Sequence, residues 1–402
     1  MEAKTATRNH WLDWLRVLAI LFVLVYHSSR FFNMEDWHVK NPTWHPWVEV
    51  WNVFATSWMM PVIFVVSGAS LYYAMGKGGF GKFVKDKALR LLVPWAVAVF
   101  THAAWQVYLE RITHGQFTGS FFQFMGQYFQ GTFEGSNPAS GNFAWHGMHL
   151  WYLLLLFVLS VLLYPLMRWL KGGGRDAFAR FGDFLALPGA VYLLALPAVL
   201  MSMLLDPDGP VMSVENGGWA FVVYLWLTLA GFVLVSHDGM LATVKRLRWV
   251  SLAVAVVSMV IVLYIRFISF ADNPVTFGMP LLTFFLGLRA LCSWCCVLAA
   301  VGFCMRLLDY SNAFVRYANE AVLPFYILHQ TVLLTVGYFV VRWPIPDLLK
   351  WAIILVVSFA IIMALYEFLV RRFNVLRFLF GMKLLPKASV AQPQRPAPAG
   401  AR

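Results

Sequence analysis

The first apolar stretch, Leu12–Phe32, reads LDWLRVLAILFVLVYHSSRFF and is long enough to cross a bilayer. About 20 apolar residues suffice, at 1.5 Å rise each. Comparable stretches recur at about 48–74, 91–108, 149–169, 185–205, 219–236, 249–270, 278–304, 321–341 and 348–370. The pattern predicts an all-α, polytopic transmembrane helix bundle of about ten spans. The chain is 60% hydrophobic and 12% charged, where soluble domains are about a quarter charged; a water-soluble domain cannot hide that much apolar surface. The net charge of +12 would point to nucleic acid in a soluble chain. Here the basic residues gather at helix ends and short loops, so membrane lipid headgroups and topology account for most of it and no nucleic-acid partner is expected. A cytoplasmic anionic ligand can account for part.

That first span also carries charge. Arg16 and His27 are separated by ten residues. Eleven steps of about 100° return within about 20° of the start, so both side chains lie on one helix face, about 16 Å apart along the axis. Ionisable groups at such depth are costly unless they line a protein cavity or a water path. Imidazole titrates near neutrality and suits general-base work on a hydroxyl, with a packing histidine as the competing reading.

Loop charge sets the expected orientation. Lys4, Arg8 and the basic residues of 77–90, 168–180, 245–248, 306–316 and 371–387 fall on one side of a ten-span chain. Glu35, Asp36, Asp206, Asp208, Glu215, Asp272 and Asp347 fall on the other. Both termini are expected to be cytoplasmic, with segments 33–46 and 113–145 facing outward. The latter shows few strand or helix signals. MEAKTATRNHW lacks a small-residue cleavage pattern and reads as the lead into a retained anchor helix. Residues 1–383 form one expected transmembrane domain, and the Pro/Ala-rich 384–402 a disordered cytoplasmic tail.

Other positions carry both a chemical and a structural reading. Lys77, Lys82, Lys85, Lys87 and Arg90 form the densest basic run, either topogenic or attractive to a phosphate-rich ligand. Ser67-Gly68 permits close backbone approach. In NEAVLPFYILHQ, Asn319, Tyr326 and Gln330 share a stripe, with His329 three residues after Tyr326. Pro324 breaks the local bonding, which suits a cavity-lining helix as well as polar contacts between helices. Arg289 is a further charge in need of a partner, with Glu367 one possibility elsewhere in the bundle. Cys292, Cys295 and Cys296 have C-x-x-C spacing without a second ligand pair, and read as buried small residues; no metal is expected.

Several of these residues, in order, resemble the acyltransferase-3 family of integral membrane proteins. The resemblance lies in Arg16 and His27 ten residues apart, FVVSG at Phe64–Gly68, the basic pair Lys87 and Arg90 before a leucine-rich proline helix, MHLWYL at Met148–Leu153 and FYILH at Phe325–His329. The family usually has arginine at both basic positions; lysine at 87 offers a point charge in place of a fork. DWHVKNP at Asp36–Pro42 and LYEFLVRRFNVLRFLFG at Leu365–Gly381 are similar to stretches of a glucan-biosynthesis group within it.

The resemblance implies an enzyme of the bacterial inner membrane that moves an acyl group, succinyl or acetyl, from cytoplasmic acyl-CoA to a hydroxyl of an extracytoplasmic glycan. Acyl-CoA would be a co-substrate, with no permanently bound cofactor. On this reading Lys87, Arg90 and Lys85 meet the coenzyme phosphates, His27 is the base, and Arg16 positions the donor. His38, Trp37, Ser67, His329 and Tyr326 support the site or meet the saccharide, with Trp44 and Trp145 available to stack on sugar. The residues alone leave open a transporter or flippase for a glycan or lipid-linked precursor. The basic run beside the histidine-bearing helix favours the enzyme.

Overall fold

A computed structural model describes residues 9–75, 78–130, 147–206, 220–269 and 279–386, and among them every regular element is a helix. Among the described residues, eight helices are long and apolar enough to cross a membrane, or nine if one bent pair counts as a span. Seven of the long helices are α1 (His10–Ser29), α2 (Pro46–Ala74), α5 (Trp151–Leu170), α9 (Asp238–Tyr264), α10 (Met279–Leu307), α11 (Ala313–Val340) and α12 (Asp347–Leu365). The eighth is α3 (Phe80–Thr113). The bent pair joins α6 (Arg175–Leu185) to α7 (Leu196–Leu204), with a 113° turn between the two arms. The apolar stretch expected at 219–236 appears as the short α8, Phe221–Leu234. Two short helices complete the set, α4 (Phe121–Gln130) and α13 (Asn374–Leu379).

Helices α1, α2, α10 and α11 form the centre: 56% of the apolar window of α1 and of α2 is buried, and 61% of those of α10 and α11, against 28% for α12. Helices α1 and α2 run antiparallel. Arg16 Nη2 donates to Ser70 Oγ at 2.7 Å near one end, and Ser29 Oγ donates to Asn52 Oδ1 at 3.0 Å near the other. Helix α8 crosses α2 at backbone contact: a Cβ on Gly68 would lie 1.8 Å from the Thr228 carbonyl oxygen, and one on Gly231 2.0 Å from that of Val65. Small residues let helices approach this closely in lipid, where no hydrophobic force draws them together. Gly68 is therefore a packing residue, and its neighbour Ser67 faces elsewhere.

Two segments differ from the sequence reading. The basic run is not a loop: from Phe80 it is helical and continuous with the third span. Lys, Ala and Leu are good helix formers, and the first interruption is Pro94. Its nitrogen has no hydrogen to donate to the carbonyl of residue 90, and its ring crowds that carbonyl; the helix widens to π-type turns at Ala88–Leu92 and Val99–Ala103. Within the outer segment 113–145, α4 is helical because Phe121, Phe124 and Tyr128 share a face that packs on Ala103, Ala104 and Val107. Residues 131–146, with Trp145, lie outside the described residues, as do Lys77 and the tail from 387.

Candidate active site

A polar line runs through the bundle between α1, α2, α5 and α11. At one end Arg16 is held by three neighbours. Its Nη1 donates to Asn319 Oδ1 at 2.8 Å and to Asp13 Oδ1 at 3.2 Å, and its Nη2 to Ser70. The guanidinium is thus charge-compensated and fixed, yet its side chain remains 28% accessible. Further along, Ser67 Oγ donates back to Ile63 O at 2.8 Å and accepts from the Tyr152 hydroxyl at 2.5 Å. The Tyr152 ring stands edge-on to Tyr326 at 5.7 Å, and the Tyr326 hydroxyl donates to the His149 carbonyl.

At the far end His27 meets His329. His329 Nδ1 lies 2.5 Å from the Tyr326 carbonyl, and His329 Nε2 lies 3.1 Å from His27 Nδ1. A carbonyl only accepts, so His329 is protonated at Nδ1 and presents a lone pair at Nε2. That lone pair accepts from His27 Nδ1–H. The remaining nitrogen, His27 Nε2, then carries a lone pair and is the basic atom of the pair. Trp37 lies nearly parallel to His27, with centroids 6.3 Å apart and planes at 11°, so the loop after α1 covers the imidazole with an aromatic face. His149 stands perpendicular to His329 at 4.8 Å. The turn that delivers it carries left-handed backbone at Gly147 (φ 96°) and at Met148 (φ 51°), a conformation costly for methionine and typical of sites that fix a side chain.

His38 supports this end and does not face an acceptor. Its Nδ1 donates to Glu110, and its Nε2 accepts from the Gln330 amide at 3.2 Å. Gln330 Nε2 also donates to Gln106 Oε1 at 3.2 Å, and Gln106 Nε2 donates to Thr331 Oγ1 at 2.7 Å and to His149 Nδ1 at 3.3 Å. His149 Nε2 donates to the Ile327 carbonyl at 3.2 Å. Every ring nitrogen in this network is committed. It ties the outer loop, α3, α5 and α11 into one rigid wall.

The other end of the line opens beside a cationic cleft of about 690 Å³, open to solvent, lined by Lys82, Lys87, Arg90 and Arg168 with Asp86 and Tyr164 among them. Lys87 and Arg90 lie near enough to Arg16 for their charges to act on it. Lys85 is exposed and does not line the cleft. On a helix it sits about 200° round from Lys87. Arg168, at the end of α5, takes the place expected for Lys85.

Of the residues the sequence offers for the site, the structure sets Arg16, Ser67, Tyr326, His329, His27 and Trp37 along the polar line and Lys87 and Arg90 at the cleft. The sequence reading missed Glu110, Gln106, Ser70 and Arg168 as site residues. His149 entered only through its motif. The discoverable signal was their polarity inside apolar helices, which Gln106 and Glu110 carry in α3. Glu367 does not meet Arg289: it accepts from Tyr317, Arg371 and Arg372 at the basic end. Cys292, Cys295, Cys296 and Cys304 are free thiols along α10, and among the described residues no group of three or more His, Cys, Asp or Glu side chains is placed to hold a metal.

The acyltransferase-3 family model, an acyltransferase domain, matches residues 9–367. The chain is 27% identical over 406 residues to glucans biosynthesis protein C of Escherichia coli O139:H28 (strain E24377A / ETEC), covering 96% of this chain and 98% of the relative. It is likewise 27% identical over 404 residues to the protein of that name in Escherichia coli strain K12, with the same coverage. No solved structure matches the chain. With its apolar helices and an alignment across nearly its whole length, the chain belongs to the acyltransferase-3 family and is an integral membrane acyltransferase.

Proposed function

We propose that this acyltransferase carries an acyl group from cytoplasmic acyl-CoA to a hydroxyl of an extracytoplasmic glycan, such as a periplasmic glucan, in the bacterial inner membrane. The observation that carries the reading is the tautomer chain at His27, which leaves Nε2 basic at one end of a polar line whose other end opens beside a cleft with four cations. The basic side is cytoplasmic by the distribution of Lys and Arg. Coenzyme phosphates would lie in the cleft against Lys82, Lys87, Arg90 and Arg168, with the coenzyme otherwise supplying only the thioester. An extended chain gains about 3.3–3.6 Å per three backbone bonds, so a pantetheine arm of about thirteen bonds reaches roughly 15 Å. The Arg16–His27 rise is about 16 Å. The arm is thus of the same order as the Arg16–His27 rise.

In the reaction, His27 Nε2 takes the proton of the acceptor hydroxyl as its oxygen attacks the thioester carbonyl. The new C–O bond forms, the C–S bond breaks, and the proton on His27 passes to the departing thiolate. His329 accepts from His27 Nδ1–H throughout and holds the ring in register, and Trp37 shields it from the outer solvent. The relatives' name speaks of glucan biosynthesis, and that supports a glucan acceptor here.

Release of free thiol from acetyl- and succinyl-CoA by purified, reconstituted protein, with candidate glycan present, tests the reading. Thiol release and glycan acylation that disappear in His27→Ala, with the variant still folded and inserted, is the expected result. Full activity in that variant would overturn the catalytic assignment. No release from the folded wild type would favour a transporter.

A further inference from the structure

Arg289 has no part in the steps above, and its position calls for an anionic partner. It lies inside α10, one of the two most buried helices. Its Nη2 donates to the Thr56 hydroxyl of α2 at 3.2 Å. Among the described residues it forms no ion pair, and Tyr224, Tyr26 and Cys292 near it are neutral groups while Arg266 is a like charge. A hydroxyl does not neutralise a guanidinium, and a charge inside a membrane bundle marks a polar cavity or an ion path. Arg289 is half-buried, so the side chain is not sealed by packing.

Its depth is that of His27. Ser29 pairs with Asn52 and Arg16 with Ser70 across the α1–α2 contact. Interpolating linearly between 29→52 and 16→70 sets His27 level with roughly residue 55, and counting equal rise from the nearer pair 29→52 sets it level with roughly residue 54. Thr56, which holds Arg289, is on that level. Tyr26 connects the two: its ring stands edge-on to His27 at 5.0 Å, and its phenol is among the groups acting on Arg289. On the other side Tyr224 stacks on Phe64 at 4.2 Å, and Phe64 faces Tyr152 of the polar line at 5.2 Å.

A fixed guanidinium with one edge anchored on Thr56 presents the rest of its fork to a planar acceptor, and a carboxylate matches that fork with two parallel bonds. We infer that Arg289 is a specificity-determining residue that receives the distal carboxylate of a dicarboxylic acyl group, of the succinyl type, while the thioester carbonyl of the same group lies at His27. The inference rests on the acyl-CoA reading given above. An acetyl or butyryl group leaves Arg289 without its anion, and the site then discriminates by the loss of that pair.

The discriminating comparison is succinyl-CoA against butyryl-CoA, which has the same chain length and no carboxylate. Wild type should favour succinyl-CoA by about 100-fold in kcat/KM, about 2.7 kcal/mol at 1.36 kcal/mol per decade. Arg289→Gln should bring that ratio to within about fivefold of one, chiefly by losing succinyl transfer, with butyryl transfer falling less than tenfold. Arg289→Lys should keep an intermediate preference. Equal use of both donors by wild type overturns the inference without needing any variant. A proportional loss of both donors in Arg289→Gln, with Arg289→Lys also unselective, overturns it as well. Absence of thiol release from either donor in wild type is a different failure, that of the acyl-CoA reading itself, and the inference falls with it.

Discussion

Replacing His329 tests the tautomer chain directly. His329→Phe keeps an aromatic ring of similar size and removes both ring nitrogens. The Tyr326 carbonyl loses its 2.5 Å partner but, three residues away on the same helix, keeps its place in backbone bonding. The larger loss falls on His27, whose Nδ1–H donates across 3.1 Å to His329. Leaving a buried donor without an acceptor costs about 1–3 kcal/mol, which at 1.36 kcal/mol per decade is about a 5- to 150-fold fall in kcat. The ring is then also free to adopt the tautomer with Nε2 protonated, which is no base. KM for acyl-CoA should change by less than about threefold, because the cationic cleft proposed for its phosphates is about 16 Å of helix rise away. His329→Gln supplies an amide oxygen in place of Nε2 and should recover most of the loss, an outcome that a purely packing role would not produce. Steady-state thiol release in the presence of glycan measures each value. If His329→Phe turned over at the wild-type rate, or only raised KM, the assignment of His27 Nε2 as base through His329 would be wrong.

Two further outcomes follow from other parts of the molecule. Gly68→Ala and Gly231→Ala each place a methyl within about 2 Å of an opposing carbonyl oxygen, so the α2–α8 crossing must open; a loss of at least about 1–3 kcal/mol is expected from overpacking, read as earlier unfolding in a thermal or SDS titration, and an unchanged midpoint would contradict the crossing. His114 donates from Nδ1 to the Glu110 carbonyl at 2.8 Å and from Nε2 to Asp36 Oδ1 at 3.1 Å, an arrangement only the imidazolium can make. Burial disfavours that charge, but Asp36 and the Glu110 carbonyl outweigh it and raise the His114 pKa above its ordinary value. Burial likewise works against the Asp36 carboxylate, and the hydrogen bond and charge of His114 outweigh it and lower its pKa. A raised base stabilises below its unfolded pKa and is lost as pH rises through the folded one; a lowered acid stabilises above its unfolded pKa and is lost as pH falls through the folded one. The tether is therefore complete in mildly acid solution and releases as pH rises past the raised His114 value. Hydrogen exchange in 33–46 should quicken over that rise in wild type and lose the pH dependence in His114→Gln.

Much of the fold was legible because its signals are local. Apolar length gives each span, charge at the ends gives the basic and acidic sides, and helical period puts Arg16 and His27 on one face. The stripe through Asn319, Tyr326 and Gln330, with His329 three residues after Tyr326, was readable on the same grounds. The basic run was legible as a charge cluster but not as a helix, so the rotation that turns Lys85 away from Lys87 was lost. Pro94 gave the widening of α3 a visible cause, whereas the bend between α6 and α7 had none stronger than its Pro and Gly.

What only the tertiary structure decided is which polar groups meet. Arg16 is paired with Asn319 across 303 positions, His27 with His329 across 302, and His38 with Gln330 across 292. Hydropathy and periodicity assign a side chain to a face of its own helix, but the rotation and depth of one helix against another come from packing such as the Gly68–Gly231 crossing. The same packing sets His329 against His27, brings Arg168 rather than Lys85 to the cleft, and carries Arg289 to Thr56 instead of Glu367. The sequence by itself determined that a cation and an imidazole would share one face inside a membrane bundle, because a single helix settles that. The neighbours that would make one of them a base lie on other helices, and contacts that distant exist only once the bundle has closed.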